Sequence, residues 1–103
     1  MSGEYELPLD YVFLAILRVE FKTQGKKVTD YAVMLLFEIE GKTETIRLYD
    51  GAHGHNEMHR YTRSAGKQSG TPLHRGTLGD GMRAAIAEIK SGYREMIEGW
   101  QGQ

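Results

Sequence analysis

The chain of 103 residues contains no cysteine and only two prolines. Without cysteine there can be no disulfide framework, no thiolate nucleophile and no zinc site with cysteine ligands. An uninterrupted apolar run long enough to cross a bilayer is also missing, because Arg18, Glu20 and Lys22 break the best candidate. The first ten residues are acidic and lack the basic start of a secretory signal. These absences predict a cytoplasmic protein that does not associate with membranes.

The composition is that of one globular domain spanning residues 1–103. Hydrophobic residues make up 40% and charged residues 26%, which is ordinary for a soluble protein of this length. The net charge of −1 hides an uneven distribution, since all four histidines fall between residues 53 and 75. That segment also holds four arginines and lysines against the single acid Glu57. An anion would therefore be attracted to this segment rather than to the whole molecule.

Alternation of apolar and polar residues predicts four strands, at residues 11–21, 28–40, 45–50 and 57–64. In the third strand, Ile46 and Leu48 are expected to share the face opposite to Tyr49. Residues 1–10 are expected to form an N-terminal extension. Residues 64–76, which include the glycine- and serine-rich "SAGKQSGTP", are expected to form a flexible loop.

Residues 78–100 have the clearest pattern, an apolar stripe at three- and four-residue spacing that predicts an amphipathic helix. Thr77 or Asp80 can cap its start. The stripe is expected to pack on the core rather than on a cofactor or a membrane. The predicted fold class is therefore α+β: a four-stranded antiparallel sheet in the order β-β-β-β-α, with the C-terminal helix packed on one face.

The segment "YDGAHGHNEMHRYT", residues 49–62, holds three of the four histidines. From residue 53 every second position is polar or aromatic, and the row consists of His53, His55, Glu57, His59 and Tyr61. On one regular strand these five side chains would share a face. Gly51 and Gly54 are expected to break the strand, so that a bend carrying Asp50 and His53 precedes a strand carrying His59 and Arg60.

One interpretation of the row is metal-independent acid–base chemistry on a phosphodiester, as in a ribonuclease. Histidine exchanges a proton near neutral pH, and a neighbouring arginine can hold the phosphate. The catalytic candidates are Asp50, His53, His59, Arg60 and Tyr61. The substrate-binding candidates are His55, Arg63, Lys67, His74 and Arg75. On a flat strand Arg60 would face away from its neighbours, so a bulge or the loop residues would have to correct that geometry.

Three other interpretations stay open. His55, Glu57 and His59 have the ligand types for zinc, nickel or iron. The segment can instead be a hydrated edge strand, or a non-catalytic module of phage or defence origin that binds an anionic ligand or a protein partner. Asp50 can serve as a turn residue whose carboxylate accepts hydrogen bonds from nearby N–H groups, or it can orient His53. No cofactor is expected, and the exposed edge and the apolar second sheet face predict a homodimer.

Two stretches carry a resemblance to known proteins. "RLYDGAHGHNEMHRYT" followed by "HRGTLGDGMRAAIAEIKSGYREMIEGW" resembles a small family of bacterial and phage proteins of unknown function, over about residues 12–100. Tyr49, Asp50, Ala52 and His53, with the later His-Arg-Tyr, also resemble the TumE-like toxin components of toxin–antitoxin pairs. Those are small β-rich proteins with one helix.

The second resemblance implies a function. By it, Asp50, His53 and His59 would match the toxin element, RNA or another nucleic acid would be the target, and an antitoxin would be the partner. The spacing between His53 and His59 departs from the denser histidine cluster of those proteins, and their activity need not carry over.

Overall fold

The structure, a computed structural model, describes residues 1–73 and 76–102. Strands β1 to β4 span Ser2–Asp10, Ala15–Gln24, Lys27–Ile39 and Lys42–Asp50. Strands β5 to β7 span Glu57–Thr62, Gly66–Lys67 and Thr71–Pro72, and helix α1 spans Leu78–Gln101. Among the described residues, no helix is both long and apolar enough to cross a membrane.

The seven strands form an antiparallel sheet. Strands β1 to β6 are neighbours in chain order, and β7 pairs with β5. The short strands β6 and β7 pair with opposite ends of the outer edge of β5. The class α+β and the C-terminal helix are confirmed, but the prediction of four strands was wrong. Residues 2–10, predicted as an extension, form β1, and the predicted loop 64–76 contains β6 and β7.

Helix α1 lies on one face of the sheet, mainly against β3 and also against β4 and β2. The side chains of Ile89, Ile97 and Trp100 are buried, as the apolar stripe predicts. They pack on the buried residues of β2 and β3, which come from alternate positions: Ala15, Leu17, Val19, Tyr31, Val33, Leu35 and Phe37. We call the side that the helix covers the helix face and the other side the open face.

The start of the helix is tied to the sheet by a buried polar chain. The Thr77 side chain caps the helix by accepting a hydrogen bond from the backbone N–H of Asp80. Asn56 donates from Nδ2 to the Thr77 carbonyl and accepts a 2.7 Å hydrogen bond from the Tyr31 phenol. Gly81 allows this contact, because a Cβ there would overlap the Asn56 amide. The bonds position α1 over β3.

A bulge changes the expected alternation in β4. The register between β3 and β4 shifts between Leu35 and Leu36, whose partners are Arg47 and Thr45. Ile46 is the extra residue, and both Ile46 and Tyr49 are buried in the core. Leu48 lines the open face. The prediction that Ile46 and Leu48 share a face opposite to Tyr49 was therefore wrong, because a bulge alters the alternation of side chains.

Candidate functional site

The predicted histidine row is divided by a bend. Residues 52–55 form a turn and a bend, Gly54 has a φ of +80°, and β5 begins at Glu57. His53 and His55 lie in the bend, exposed, with their ring centroids 6.3 Å apart. His59 lies within β5. The expected division at the glycines is therefore present.

The strand register places His59 on the open face, beside two carboxylates. Its Nε2 lies 3.4 Å from Asp50 Oδ2 and 3.8 Å from Glu57 Oε2. The other oxygen of Glu57 lies 2.7 Å from His55 Nε2. The side chains of His59, Asp50 and Glu57 are 13%, 12% and 16% exposed, so water reaches them only in part. We call these three residues the His59 cluster.

The loop after β5 lies over the His59 cluster. Nδ1 of His59 is 3.0 Å from the backbone carbonyl of Gln68, which is the geometry of a hydrogen bond from the protonated nitrogen. A Cβ on Gly70 would overlap the carboxylate of Glu57 and would come within 2.8 Å of His59 Cε1. The close approach of a backbone without a side chain explains why glycine stands at this position.

Asp50 acts as a turn residue, which is one of the two roles predicted for it. Its Oδ1 accepts a 3.3 Å hydrogen bond from the backbone N–H of Ala52, and its Oδ2 is the atom that approaches His59. Its negative charge also acts on two phenols. Burial, with a smaller contribution from Asp50, raises the pKa of Tyr31 to about 12 and raises that of Tyr61. Both phenols are therefore protonated at neutral pH.

Negative charge dominates the open face. One row across the sheet contains four acids, in the order Glu4, Glu20, Ala32, Asp50 and Glu57. Arg18, in the next row, contacts three carboxylates at 2.7–2.9 Å, those of Glu4, Glu6 and Glu20. The hydrogen bonds from Arg18 to Glu20 and Glu6 raise the pKa of the guanidinium. This face would repel a phosphate backbone rather than attract it.

Arg60 lies on the helix face, away from His59. It pairs in register with Arg47 of β4, and Arg47 pairs with the buried Leu35. His59 pairs with Leu48, which lines the open face. The expectation that Arg60 faces away from its strand neighbours therefore holds. The His59 cluster and Arg60 do not form one site.

Two other basic candidates, Arg63 and Lys67, lie apart from the His59 cluster as well. The guanidinium carbon of Arg63 lies 5.1 Å from the ring centroid of Trp100, and Arg63 donates a 3.5 Å hydrogen bond to the Gln101 carbonyl. Lys67 is exposed in β6, where it pairs with Tyr61. His74 and Arg75 lie outside the described residues.

No metal site forms from the part of the chain that the structure describes, since it has no group of three or more His, Asp or Glu side chains that could hold an ion. The metal candidates instead make ion-pair contacts, with the Glu57 carboxylate between His55 and His59.

Sequence reasoning missed a groove of about 490 Å³ between the helix and strands β4 and β5. Arg47, Arg60 and Tyr61 line it from the sheet, and Glu88, Glu95, Met96 and Trp100 line it from the helix. Burial raises the pKa of the Tyr49 phenol. The hydrogen bond that Arg47 donates to this phenol lowers the pKa by a smaller amount. No local sequence pattern predicts this groove, because Arg47 and Arg60 are far apart in sequence. Only the register of β4 against β5 brings them together.

Comparison with known proteins assigns the chain to a family. The model of DUF7718, described as a domain of unknown function, matches residues 1–103. The chain belongs to the DUF7718 family. No curated protein and no solved structure matches it. The expected membership of a small family of unknown function is thus supported for this DUF7718 protein, and no link to toxin–antitoxin pairs is shown.

Proposed function

We propose that this DUF7718 protein is a non-catalytic binding module that holds a small anionic ligand in the groove between the sheet and the helix. The observation that carries the proposal is the pair Arg47 and Arg60. They lie directly opposite each other on β4 and β5, and both line the groove. Within residues 1–73 and 76–102, neither guanidinium forms an ion pair with a carboxylate.

Two like charges directly opposite each other on neighbouring strands destabilise the sheet. An anion bound between Arg47 and Arg60 would relieve this repulsion. Arginine presents its N–H groups in a planar fork that matches the oxygens of a carboxylate or a phosphate. The pair therefore favours a ligand with one of these two groups.

The other residues that line the groove limit the class of ligand further. Trp100, Met96 and Ile46 give it apolar walls, which suit an aromatic or apolar ligand body. Glu88 and Glu95 line the helix side and favour a hydrogen-bond donor there. The volume lies within the roughly 300–1,000 Å³ that is usual for small-molecule sites. A phosphate, an aromatic ring and an amino group together are features of a nucleotide.

Trp100 is the only tryptophan of the chain, so its fluorescence reports directly on the groove. We would titrate the protein with inorganic phosphate, a nucleoside monophosphate and an aromatic carboxylate. We expect a saturable change in Trp100 emission, and affinity at least about tenfold weaker in Arg47→Gln and Arg60→Gln, since a charge-assisted hydrogen bond contributes about 1.5–3 kcal/mol.

The matched control is Arg83→Gln, which removes an exposed arginine from the helix away from the groove lining. Its affinity should equal that of the natural sequence. If all three probes leave Trp100 emission unchanged at millimolar concentration, or if the three variants bind equally well, the proposal is wrong.

Acid–base action on RNA or another nucleic acid is the second candidate, and it would use His53, His55, His59 and Arg60. The resemblance to TumE-like proteins and the proximity of His59 to Asp50 support it. The separation of Arg60 from His59 by the thickness of the sheet, and the acidic open face, argue for binding instead.

An RNA incubation separates the two candidates. We expect a labelled single-stranded RNA to remain intact with the purified protein, and induced expression of the natural sequence and of His59→Ala to give equal growth. RNA cleavage that His59→Ala abolishes would replace the binding proposal by the catalytic one, and an antitoxin partner would then be expected.

A further inference from the structure

The exposed apolar surface of this protein is concentrated in one part of the chain. All large hydrophobic residues that are exposed among the described residues lie within the first 14: Met1, Tyr5, Leu7, Tyr11, Val12 and Leu14. Two of them belong to β1, and three belong to the turn that follows it. Large apolar side chains that are exposed close together in one segment mark an interaction site more often than singly scattered ones do.

Strand β1 is also the long unpaired edge of the sheet. In the described ranges 1–73 and 76–102, β1 pairs only with β2, whereas β6 and β7 cover the outer edge of β5. An uncovered edge presents N–H and C=O groups that another chain can pair with. Nine residues are enough for a full added strand, since strands usually have about five or six.

The hydrogen bonds at the start of β1 show which backbone groups point outward. Met1 and Thr23 exchange two bonds: the amino group of Met1 donates to the Thr23 carbonyl at 3.0 Å, and the Thr23 N–H donates to the Met1 carbonyl at 2.7 Å. Hydrogen-bonded and non-hydrogen-bonded pairs alternate along an antiparallel ladder. The backbone N–H groups of Ser2, Glu4 and Glu6 therefore point away from β2. Pro8 holds the next outward position and has no N–H.

The side chains of β1 differ between its two faces. Tyr5 and Leu7 lie on the helix face, in register with the buried Val19 and Leu17. Glu4 and Glu6 lie on the open face, where with Glu20 they place three carboxylates around the single Arg18. A strand added to β1 would meet apolar side chains on one face and an excess of negative charge on the other.

We propose that the outer edge of β1 binds a segment of a partner protein that adds to the sheet as an antiparallel strand of alternating basic and apolar residues. Opposite charges and apolar pairs across neighbouring strands stabilise the pairing, and the backbone hydrogen bonds supply affinity. The exposed Tyr11 and Val12, in the turn after β1, offer further apolar contact beyond the end of the strand. A second copy of this chain fits less well, because it would place its own acidic row beside Glu4 and Glu6.

The probe is a synthetic peptide about six residues long with alternating lysine and valine, compared with a matched peptide of glutamate and valine. Amide hydrogen exchange, followed by NMR, gives the site. With the lysine peptide we expect the amides of Ser2, Glu4 and Glu6 to become protected, and the affinity to exceed that of the glutamate peptide at least tenfold.

Two substitutions of Glu6 distinguish the contribution of backbone pairing to peptide binding from the contribution of charge. Glu6→Ala and Glu6→Pro both remove the carboxylate, but only Glu6→Pro also removes the outward N–H, so it should bind the lysine peptide about fivefold more weakly than Glu6→Ala. Unchanged Trp100 emission confirms that both variants fold. If Glu6→Pro does not fold, Leu7→Thr tests the apolar side of the same edge and should weaken binding.

Several results would overturn the proposal. These are equal affinity for both peptides, equal binding by Glu6→Ala and Glu6→Pro, or protection of amides elsewhere in the sheet. A dimer in sedimentation with protected Glu4 and Glu6 amides in the absence of peptide would overturn it as well, because a second copy would then be the occupant.

Discussion

The phenol of Tyr31 donates a 2.7 Å hydrogen bond to Asn56 Oδ1, and both residues are buried between the sheet and the start of the helix. Asn56 stands between the bend that carries His53 and strand β5, and it also donates to the carbonyl of Thr77. This one side chain therefore connects β3, the bend and the helix cap.

Replacing Asn56 by alanine should destabilise the fold. Asn56→Ala leaves the Tyr31 hydroxyl and the Thr77 carbonyl without this partner, and a buried polar group that loses its hydrogen bond costs about 1–3 kcal/mol. Each kcal/mol should lower the melting temperature by roughly 4–8 °C in a domain of this size. The exposed Thr43→Ala is the control, and a melting temperature equal to that of the control would contradict the role of Asn56.

Two glycines of the same helix should respond in opposite directions to alanine. Gly81→Ala should destabilise by about 1–3 kcal/mol, because its Cβ would overlap the Asn56 amide. Gly99→Ala should stabilise by up to about 1 kcal/mol, because nothing lies within 4 Å and alanine favours the helix. Urea denaturation gives both free energies of unfolding. The loss in Gly81→Ala should also be smaller when Asn56 is already alanine, and strict additivity would contradict the contact.

Asp10 should make the stability depend on pH in acid. Its carboxylate accepts hydrogen bonds from the Tyr93 phenol at 2.8 Å and from Arg94 at 2.9 Å. The bond from Tyr93, with those from the Phe13 and Val12 N–H groups, lowers the pKa of Asp10 from 3.8 to about 2. The charged form therefore stabilises the fold above about pH 4, and this contribution is lost as the pH falls to about 2.

The measurement is the free energy of unfolding at several pH values. Asp10→Asn should show a shallower loss of stability between about pH 4 and about pH 2 than the natural sequence. Glu98→Gln, which changes an exposed acid of the helix, is the control and should keep the natural slope. The same slope in Asp10→Asn and in the natural sequence would show that the link between β1 and the helix does not depend on this charge.

Gly70→Ala should displace the loop from the His59 cluster. The added methyl group would overlap the Glu57 carboxylate, and the contact between His59 Nδ1 and the Gln68 carbonyl should be lost. We expect a destabilisation of about 1–3 kcal/mol and faster hydrogen exchange of the amides of residues 66–71. The exposed neighbour Ser69→Ala should leave exchange unchanged. Unaltered exchange in Gly70→Ala would mean that the loop accommodates a side chain.

The sequence was most informative about the helix. The apolar stripe and the cap at Thr77 predict residues 78–100, and α1 spans Leu78–Gln101. Such a prediction succeeds because the spacing of a helix and its cap depend on residues only three or four positions apart.

The number of strands could not be predicted in the same way. β6 and β7 have two residues each, too few for any alternation, and they are strands only because they pair with β5. In β1 the alternation is present at Tyr5, Leu7 and Leu9, but Pro8 and the acids between them are typical of an extension as well as of an edge strand.

Local sequence patterns are enough to predict the α+β class, the helix, the bend at Gly54 and the types of residue available for chemistry. Which of those residues meet depends on the tertiary structure. His59 and Arg60 are neighbours in sequence, yet the period of two in a strand places them on opposite faces. Arg47 and Arg60 are distant in sequence, and the register of β4 against β5 sets them side by side. Register depends on pairing across the whole sheet, which no local pattern of residues contains.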